Sequence, residues 1–519
     1  MGSNQPHFIF IPFMAQGHLI PLIDIAKLFA EQNALVTIIA TPSSLARSGP
    51  TIYRAIEAGL PIHVLQVRFP STEAGLPEGC ESADTIPSPT LLKNFYTAVA
   101  MMQQPVEKLL SELKPHPNCI IYGRNFTWIV DIASKFQIPR ISFDGKNCFT
   151  LLCSHALKIS KVHENVSETE PFVVPGLPNR IEFTKGQLPS SINPRKNSSM
   201  NEVVQKILAA EQGAYGVILN TFEELEAEYV KTYRKVQDRK IWCVGSASLC
   251  NKENSDKAER GNKSSIDENQ CLKWLDSQAP NSVIYACFGS LNRLTAPQLI
   301  ELGTALEATN RPFIWVLRGA DEKEEMEKWF LEDGFEARTR GRSLLISGWA
   351  PQLLILSHPA VGGFLTHCGW NSTLEGICAG LPMITWPLFA EQFFNEKLVV
   401  QVLKIGVGVG TKARLQCWGE GDSGLQVKRE DIKKAVDMVM DEGEEGEERR
   451  KKSRQLADMA KKALEKGGSS YLNISLLIED IKQQATSNPI QNNHEQSSRS
   501  RAPEQSSGSP FSVFGGGAS

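Results

Sequence analysis

Neither sign of charge prevails in this chain of 519 residues: 55 lysines and arginines stand against 58 aspartates and glutamates. So close a balance gives no overall field to hold nucleic acid or an anionic membrane surface, and it turns attention to a small-molecule partner. No apolar run reaches membrane-spanning length without charge. The stretch from Met1 to Pro6 lacks the basic region and the long apolar core of a secretory signal, so the expected location is cytoplasmic. Gly2 invites N-myristoylation, but Pro6 stands where that motif has serine or threonine. Paired CxxC motifs are missing as well. The eleven cysteines are scattered, which reads as reduced thiols with no metal site, and Cys287, Cys368 and Cys378 sit in apolar stretches as buried residues. No GxGxxG opens a helix after a strand, so a nicotinamide-dependent oxidoreductase lacks its fingerprint.

What is present is ample apolar content, 41% of the residues, enough for two substantial cores. His7 to Pro12 reads as an apolar strand, Gln16-Gly17-His18 as a turn, Ile20 to Gln32 as a helix and Leu35 to Ala40 as a second strand. This is the opening of a parallel α/β sheet, and strand patterns recur near Asn118, Arg140 and Gly216. From Ser246 to Asn269 the composition turns to Asn, Lys, Glu, Ser and Asp, as in a solvated linker. Ser282 to Phe288 then begins a second series of strands that continues to Trp386. The expected division is 1–247, a linker over 248–269, a second unit over 270–468, a helix over 469–484 and a disordered tail over 485–519.

The most informative stretch runs from Trp349 to Gln392, WAPQLLILSHPAVGGFLTHCGWNSTLEGICAGLPMITWPLFAEQ. It reads as a strand to Thr366, a Gly/polar turn from His367 to Asn371, a helix from Ser372 and a strand from Met383. A helix start leaves backbone N–H groups unpaired and carries partial positive charge, so a phosphate facing this turn is held without lysine or metal. Asn371 and Ser372 mark where those donors lie, and His367 can add a side-chain hydrogen bond. Glu375, one helical turn beyond Asn371, can accept from two adjacent ribose hydroxyls, and Trp349 can stack a base. Each residue alone has a plainer reading as a turn, core or solvated group.

Along its whole length this stretch resembles the signature box of plant family 1 UDP-glycosyltransferases, and the resemblance extends over roughly residues 7–484. It implies the α/β GT-B fold, two Rossmann-like domains facing across a cleft, the first holding the acceptor and the second the UDP-sugar. It implies that Trp349 stacks on uracil, that Ala350 and Gln352 contact base and ribose, and that Glu375 binds the ribose. His367, Asn371 and Ser372 would grip the diphosphate, with Trp370 beside the sugar and Ser290, in Phe288-Gly289-Ser290-Leu291, a further phosphate contact. Glu391 and Gln392 would bind sugar hydroxyls. A glutamine at the end of the box accompanies glucose in this family, so the expected co-substrate is UDP-glucose, with no resident cofactor, no metal and a monomeric protein. A lipophilic acceptor is expected against Phe13, Phe95, Met101, Phe149 and the stretch near Gln187.

Transfer to a hydroxyl needs a base, and a neutral imidazole suits the task. His18, in PFMAQGHLIP, matches the family's catalytic turn and lies where open α/β sheets place ligands. The family orients this histidine with an aspartate after an apolar strand; here Cys119 to Ile121 is followed by Tyr122-Gly123-Arg124, and the aspartate's position holds Gly123. Asp131 and Asp144 are the nearest carboxylates in sequence. The leading expectation is inverting O-glucosyl transfer to a phenolic acceptor such as a flavonoid. C-transfer to an electron-rich ring, transfer to a triterpenoid or steroid, and a nucleotide-sugar binding protein of weak activity are the alternatives.

Overall fold

The computed structural model describes residues 5–194, 200–291, 294–317, 323–415 and 427–487, and the tail beyond lies outside these. Its first half is a seven-stranded parallel sheet made of β1 (His7–Ile11), β2 (Leu35–Ala40), β3 (Ile62–Gln66), β4 (Cys119–Gly123), β5 (Arg140–Asp144), β8 (Gly216–Leu219) and β9 (Lys240–Cys243). The order is β3-β2-β1-β4-β5-β8-β9, and β6 (Pro171–Val173) pairs with β7 (Glu182–Thr184) in a separate antiparallel hairpin. The second half is a six-stranded parallel sheet of β10 (Val283–Cys287), β11 (Phe313–Leu317), β12 (Ser343–Ser347), β13 (Val361–Thr366), β14 (Met383–Thr385) and β15 (Gly406–Gly408), in the order β12-β11-β10-β13-β14-β15.

The central strands are mostly apolar because helices cover both faces of each sheet. All five residues of β1 and of β4, and all six of β13, are buried. In both sheets the chain first moves outward one way and then returns past its first strand. The order therefore reverses between β1 and β4, and again between β10 and β13, and a crevice opens at the carboxyl ends there. Register brings the loops after these strands side by side. Ile11 pairs with Tyr122 and Gly123 with Phe143 in the first sheet, and Cys287 pairs with Thr366 in the second.

The halves meet through an apolar cluster that joins Phe149 and Leu152 to Trp370, Phe393 and Phe394. The Trp370 indole donates to the Asn220 carbonyl at 2.8 Å, and Asn147 donates to Asn395 at 2.8 Å. The final helix, Ser469–Ser487, buries Ile474, Leu477, Ile478 and Ile481 against the first sheet's layer. Four such side chains contribute on the order of 6–12 kcal/mol of burial, enough to outweigh ordering several residues. Tyr215 and Lys240 fix its far end through Asp480, at 2.8 and 2.7 Å.

The polar stretch after Ser246 differs from a solvated linker. Ser246, Ser248 and Asn251 are buried, and the Arg260 side chain is only 9% exposed. Part of it is tied to the first half: Asn251 bonds Asp24 and Lys27, and Asn262 accepts from Gln16, while Lys252, Glu253, Asn254 and Glu259 are exposed.

Candidate active site

A cleft of about 870 Å³ lies between the carboxyl edges of the two sheets. Every residue named from the sequence for the base and the UDP-sugar lines it: His18, Ser290, Trp349, Ala350, Gln352, His367, Trp370, Asn371, Ser372, Glu375, Glu391 and Gln392.

On the second half, β13 ends in Thr366 and a helix begins at Trp370, two residues earlier than the sequence pattern indicates. Its N-cap is Gly369, in extended conformation and with no side-chain cap, so the first-turn N–H groups are left for a ligand. A side chain at 369 would put its Cβ 2.3 Å from Nε2 of His367, so glycine is what lets the imidazole lie over this turn. Asn371 reaches across the cleft and donates to the Gly17 carbonyl at 2.6 Å, next to His18. Gln352 donates to Ser372 at 3.1 Å and to Glu375 at 2.7 Å. Gln392, 4% exposed, accepts from the backbone N–H groups of Leu388 and Phe389 at 2.8 and 3.0 Å. Its carbonyl oxygen is thereby occupied. Burial raises the pKa of the neighbouring Glu391, opposed by Lys146.

Sequence reasoning missed Arg260, which joins the halves. It pairs with Asp24 at 2.6 Å and also with Glu375, the carboxylate expected to bind ribose. Both carboxylates are almost fully buried, and together they raise the guanidinium pKa. Gly261, beside it, packs on the Trp349 ring, where an added Cβ would lie 2.5 Å away. No local pattern marks this arginine, because its partners lie 236 and 115 residues away.

On the first half, His18 belongs to the first turn of the helix Gln16–Glu31, which starts earlier than expected. Its Nδ1 is buried and has no hydrogen-bond partner. Burial lowers its pKa from 6.5 to about 4; Asp144 opposes the fall, and Lys146 and Arg124 add to it. Neither candidate carboxylate bonds the ring. Asp131 is exposed and accepts from Gln103 at 3.3 Å. Asp144 pairs with Arg124 at 2.6 Å and Lys146 at 3.3 Å. Burial alone would raise the Asp144 pKa, but these cations hold it below the usual carboxylate range.

The space an aspartate would need at position 123 is filled. A Cβ there would stand 2.7 Å from the Phe13 Cβ and 2.9 Å from its backbone nitrogen. Phe13 packs edge-on against His18, Phe95 and Phe126, with ring centroids 6.0, 6.0 and 5.4 Å apart. Phe13, Phe95 and Phe149 are therefore core residues and do not line the cleft, while Met101 is 43% exposed on the outside. The first-half wall is instead Tyr96, Leu151, Ile192, Ile207 and Leu208, interleaved with charged side chains that the sequence pattern did not mark.

No helix among the described residues is long and apolar enough to cross a membrane. The family described as UDP-glucoronosyl and UDP-glucosyl transferase matches residues 262–417, and a glycosyltransferase N-terminal domain matches 6–248. The chain is 54% identical over 480 residues to UDP-glycosyltransferase 73E1 of Stevia rebaudiana, covering 92% of this chain and 96% of that one. It is 51% identical to UDP-glycosyltransferase 73C3 of Arabidopsis thaliana, covering 92% and 97%. Among solved structures it resembles Glycyrrhiza uralensis UGT73P12 complexed with glycyrrhetinic acid 3-O-monoglucuronide, at 39% identity and TM-score 0.85 over 95% of this chain and 99% of that one. It also resembles Phytolacca americana UGT2 complexed with UDP-2fluoro-glucose and pterostilbene, at 27% identity and TM-score 0.70 over 92% and 100%. Two parallel sheets meeting at an uncapped helix start and a histidine-bearing turn, together with identity near one half along almost the whole chain, make this protein a GT-B enzyme of plant family 1 of the UDP-glycosyltransferases.

Proposed function

We propose that the enzyme transfers glucose from UDP-glucose to a phenolic hydroxyl of a small lipophilic acceptor, in the cytoplasm and as a monomer. The observation that carries the reading is the placement of His18 beside Asn371: base and helix start share one crevice, joined by the 2.6 Å bond from Asn371 to Gly17. The N–H groups at Trp370 to Ser372 and the His367 side chain hold the diphosphate, Trp349 and Gln352 hold the uridine, and Glu375 leaves Arg260 for the ribose. Ser290 adds a phosphate contact, Ala350 borders the base, and Glu391 and the Gln392 amide take sugar hydroxyls beside Trp370. Glucose is favoured by Gln392, and a related structure, Arabidopsis thaliana UGT89C1, is complexed with UDP-L-rhamnose.

The acceptor oxygen attacks the anomeric carbon as the bond from that carbon to the diphosphate oxygen breaks. UDP leaves with the bonding pair, the acceptor proton passes to Nε2 of His18, and the configuration inverts to a β-glucoside. An imidazole with pKa about 4 and no carboxylate on Nδ1 is a weak base, so it matches an acidic hydroxyl such as a phenol, whose pKa is about 10, better than an alcohol. Transfer to a triterpenoid hydroxyl is the second reading, favoured by the Glycyrrhiza structure's triterpenoid glucuronide.

The test incubates the protein with UDP-glucose and a panel of flavonoids, simple phenols and triterpenoids, with products read by mass spectrometry and acid hydrolysis. An acid-labile hexose adduct on a phenol supports the proposal. An acid-resistant adduct means C-transfer, an adduct restricted to triterpenoids establishes the second reading, and no adduct with any acceptor overturns the reading of the donor.

A further inference from the structure

The first-half wall of the cleft carries four cationic side chains, Arg124, Lys146, Lys158 and Arg239, and two carboxylates, Asp144 and Glu211. The carboxylates are already committed: Arg124 bridges both, at 2.6 and 2.8 Å, and Lys146 takes the second oxygen of Asp144 at 3.3 Å. The excess of positive charge therefore falls on Lys158 and Arg239, and among the described residues no carboxylate stands within 4.0 Å of either. The Arg239 guanidinium bonds the Tyr233 side chain, while its Nη1 is buried with no hydrogen-bond partner, and Oε1 of Glu211, on the same wall, is buried and unpartnered as well.

A buried guanidinium nitrogen with no acceptor is unfavourable, and a charge-assisted bond to an anion would satisfy it. Lys158 sits in the last turn of the helix Cys148–Ser160, where burial and then Arg124 and Lys146 lower its pKa while Glu211 and Asp144 oppose the fall. Beside these cations stand Leu151, Ile192, Ile207 and Leu208. A wall that is apolar and cationic at once fits a ligand that is lipophilic and anionic at once.

We propose that the acceptor is an amphiphilic hydroxy acid, with Arg239 and Lys158 the residues that select its carboxylate. The proposal rests on the transferase reading only for what becomes of that ligand. Glu211, with one free oxygen, accepts from a hydroxyl on the same ligand.

Calorimetry on the full chain with UDP compares 4-hydroxycinnamic acid and oleanolic acid with their methyl esters, in the wild type and in Lys158→Ala and Arg239→Gln. At least one acid is expected to bind about 10-fold tighter than its ester. Each variant should weaken the acid by about 10-fold with the loss confined to the acid, and Arg239→Lys should retain part of the preference. If transfer assays give no glucoside while the acid still binds in preference to its ester, the transferase reading falls and this one stands. Acid and ester bound alike in both pairs, or variants that weaken both alike, overturn it.

Discussion

Restoring the missing aspartate should not restore a dyad. In Gly123→Asp the new Cβ would lie 2.7 Å from the Phe13 Cβ and 2.9 Å from the Phe13 nitrogen, and neither atom can swing aside as the end of a flexible side chain would. Overpacking of this kind costs about 1–3 kcal/mol, and burying a carboxylate at a fully enclosed strand end adds to it. At roughly 2–4 °C per kcal/mol, Tm should fall by about 2–12 °C. Because Phe13 also packs on His18, the shift that relieves the clash moves the base, and kcat/KM should not rise. The double variant Phe13→Ala/Gly123→Asp keeps both crowded atoms, so removing the ring should not return Tm to the wild-type value. Differential scanning fluorimetry and initial rates on one phenolic acceptor read both quantities. A single variant with wild-type Tm and faster transfer would refute the packing argument.

The acid limb of kcat/KM should lie near pH 4 rather than 6.5. Folding lowers the pKa of His18, so the base stays neutral, and active, as pH falls to about 4; at pH 5.5 a pKa of 4 leaves roughly 97% of it neutral, against roughly 9% for 6.5. Half-maximal activity near 6.5 would contradict the burial argument. Arg260→Ala leaves Asp24 and Glu375 buried without their cation and should destabilise the protein by about 3–5 kcal/mol, read as a fall in Tm; an unchanged Tm would show the bridge to be dispensable. Gln392→His removes an oxygen that accepts two backbone N–H groups as well as the amide offered to the sugar. It should raise KM for UDP-glucose by about 10-fold, and an unchanged KM would remove the sugar contact from the account.

The central strands were legible because a strand buried on both faces is apolar at nearly every position, as β1, β4 and β13 are apart from His7 and Thr366 at their ends. Three edge strands were not. Ile62–Gln66 is partly exposed, Lys240–Cys243 is short, and Gly406–Gly408 carries a single apolar side chain, so none has a periodic signal to read. Most of the residues expected to hold the donor were legible together because they lie within the single stretch Trp349 to Gln392, and the structure brings them to one cleft. The acceptor wall was not. Lys158, Glu211 and Arg239 come from three elements, and Phe13, apolar and next to the catalytic turn, is a core residue. Gly123 was noticed as an absence, but what fills its place could be seen only once β4 was set beside the turn that carries Phe13.

The account turns on His18 acting as the base while the second half holds the nucleotide. The direct measurement is His18→Ala, with UDP affinity determined by calorimetry and glucosyl transfer by mass spectrometry on the same preparation. Transfer is expected to be lost, by at least about 100-fold, while the UDP dissociation constant stays within about 2-fold of wild type. Transfer retained at the wild-type rate by His18→Ala would contradict the assignment.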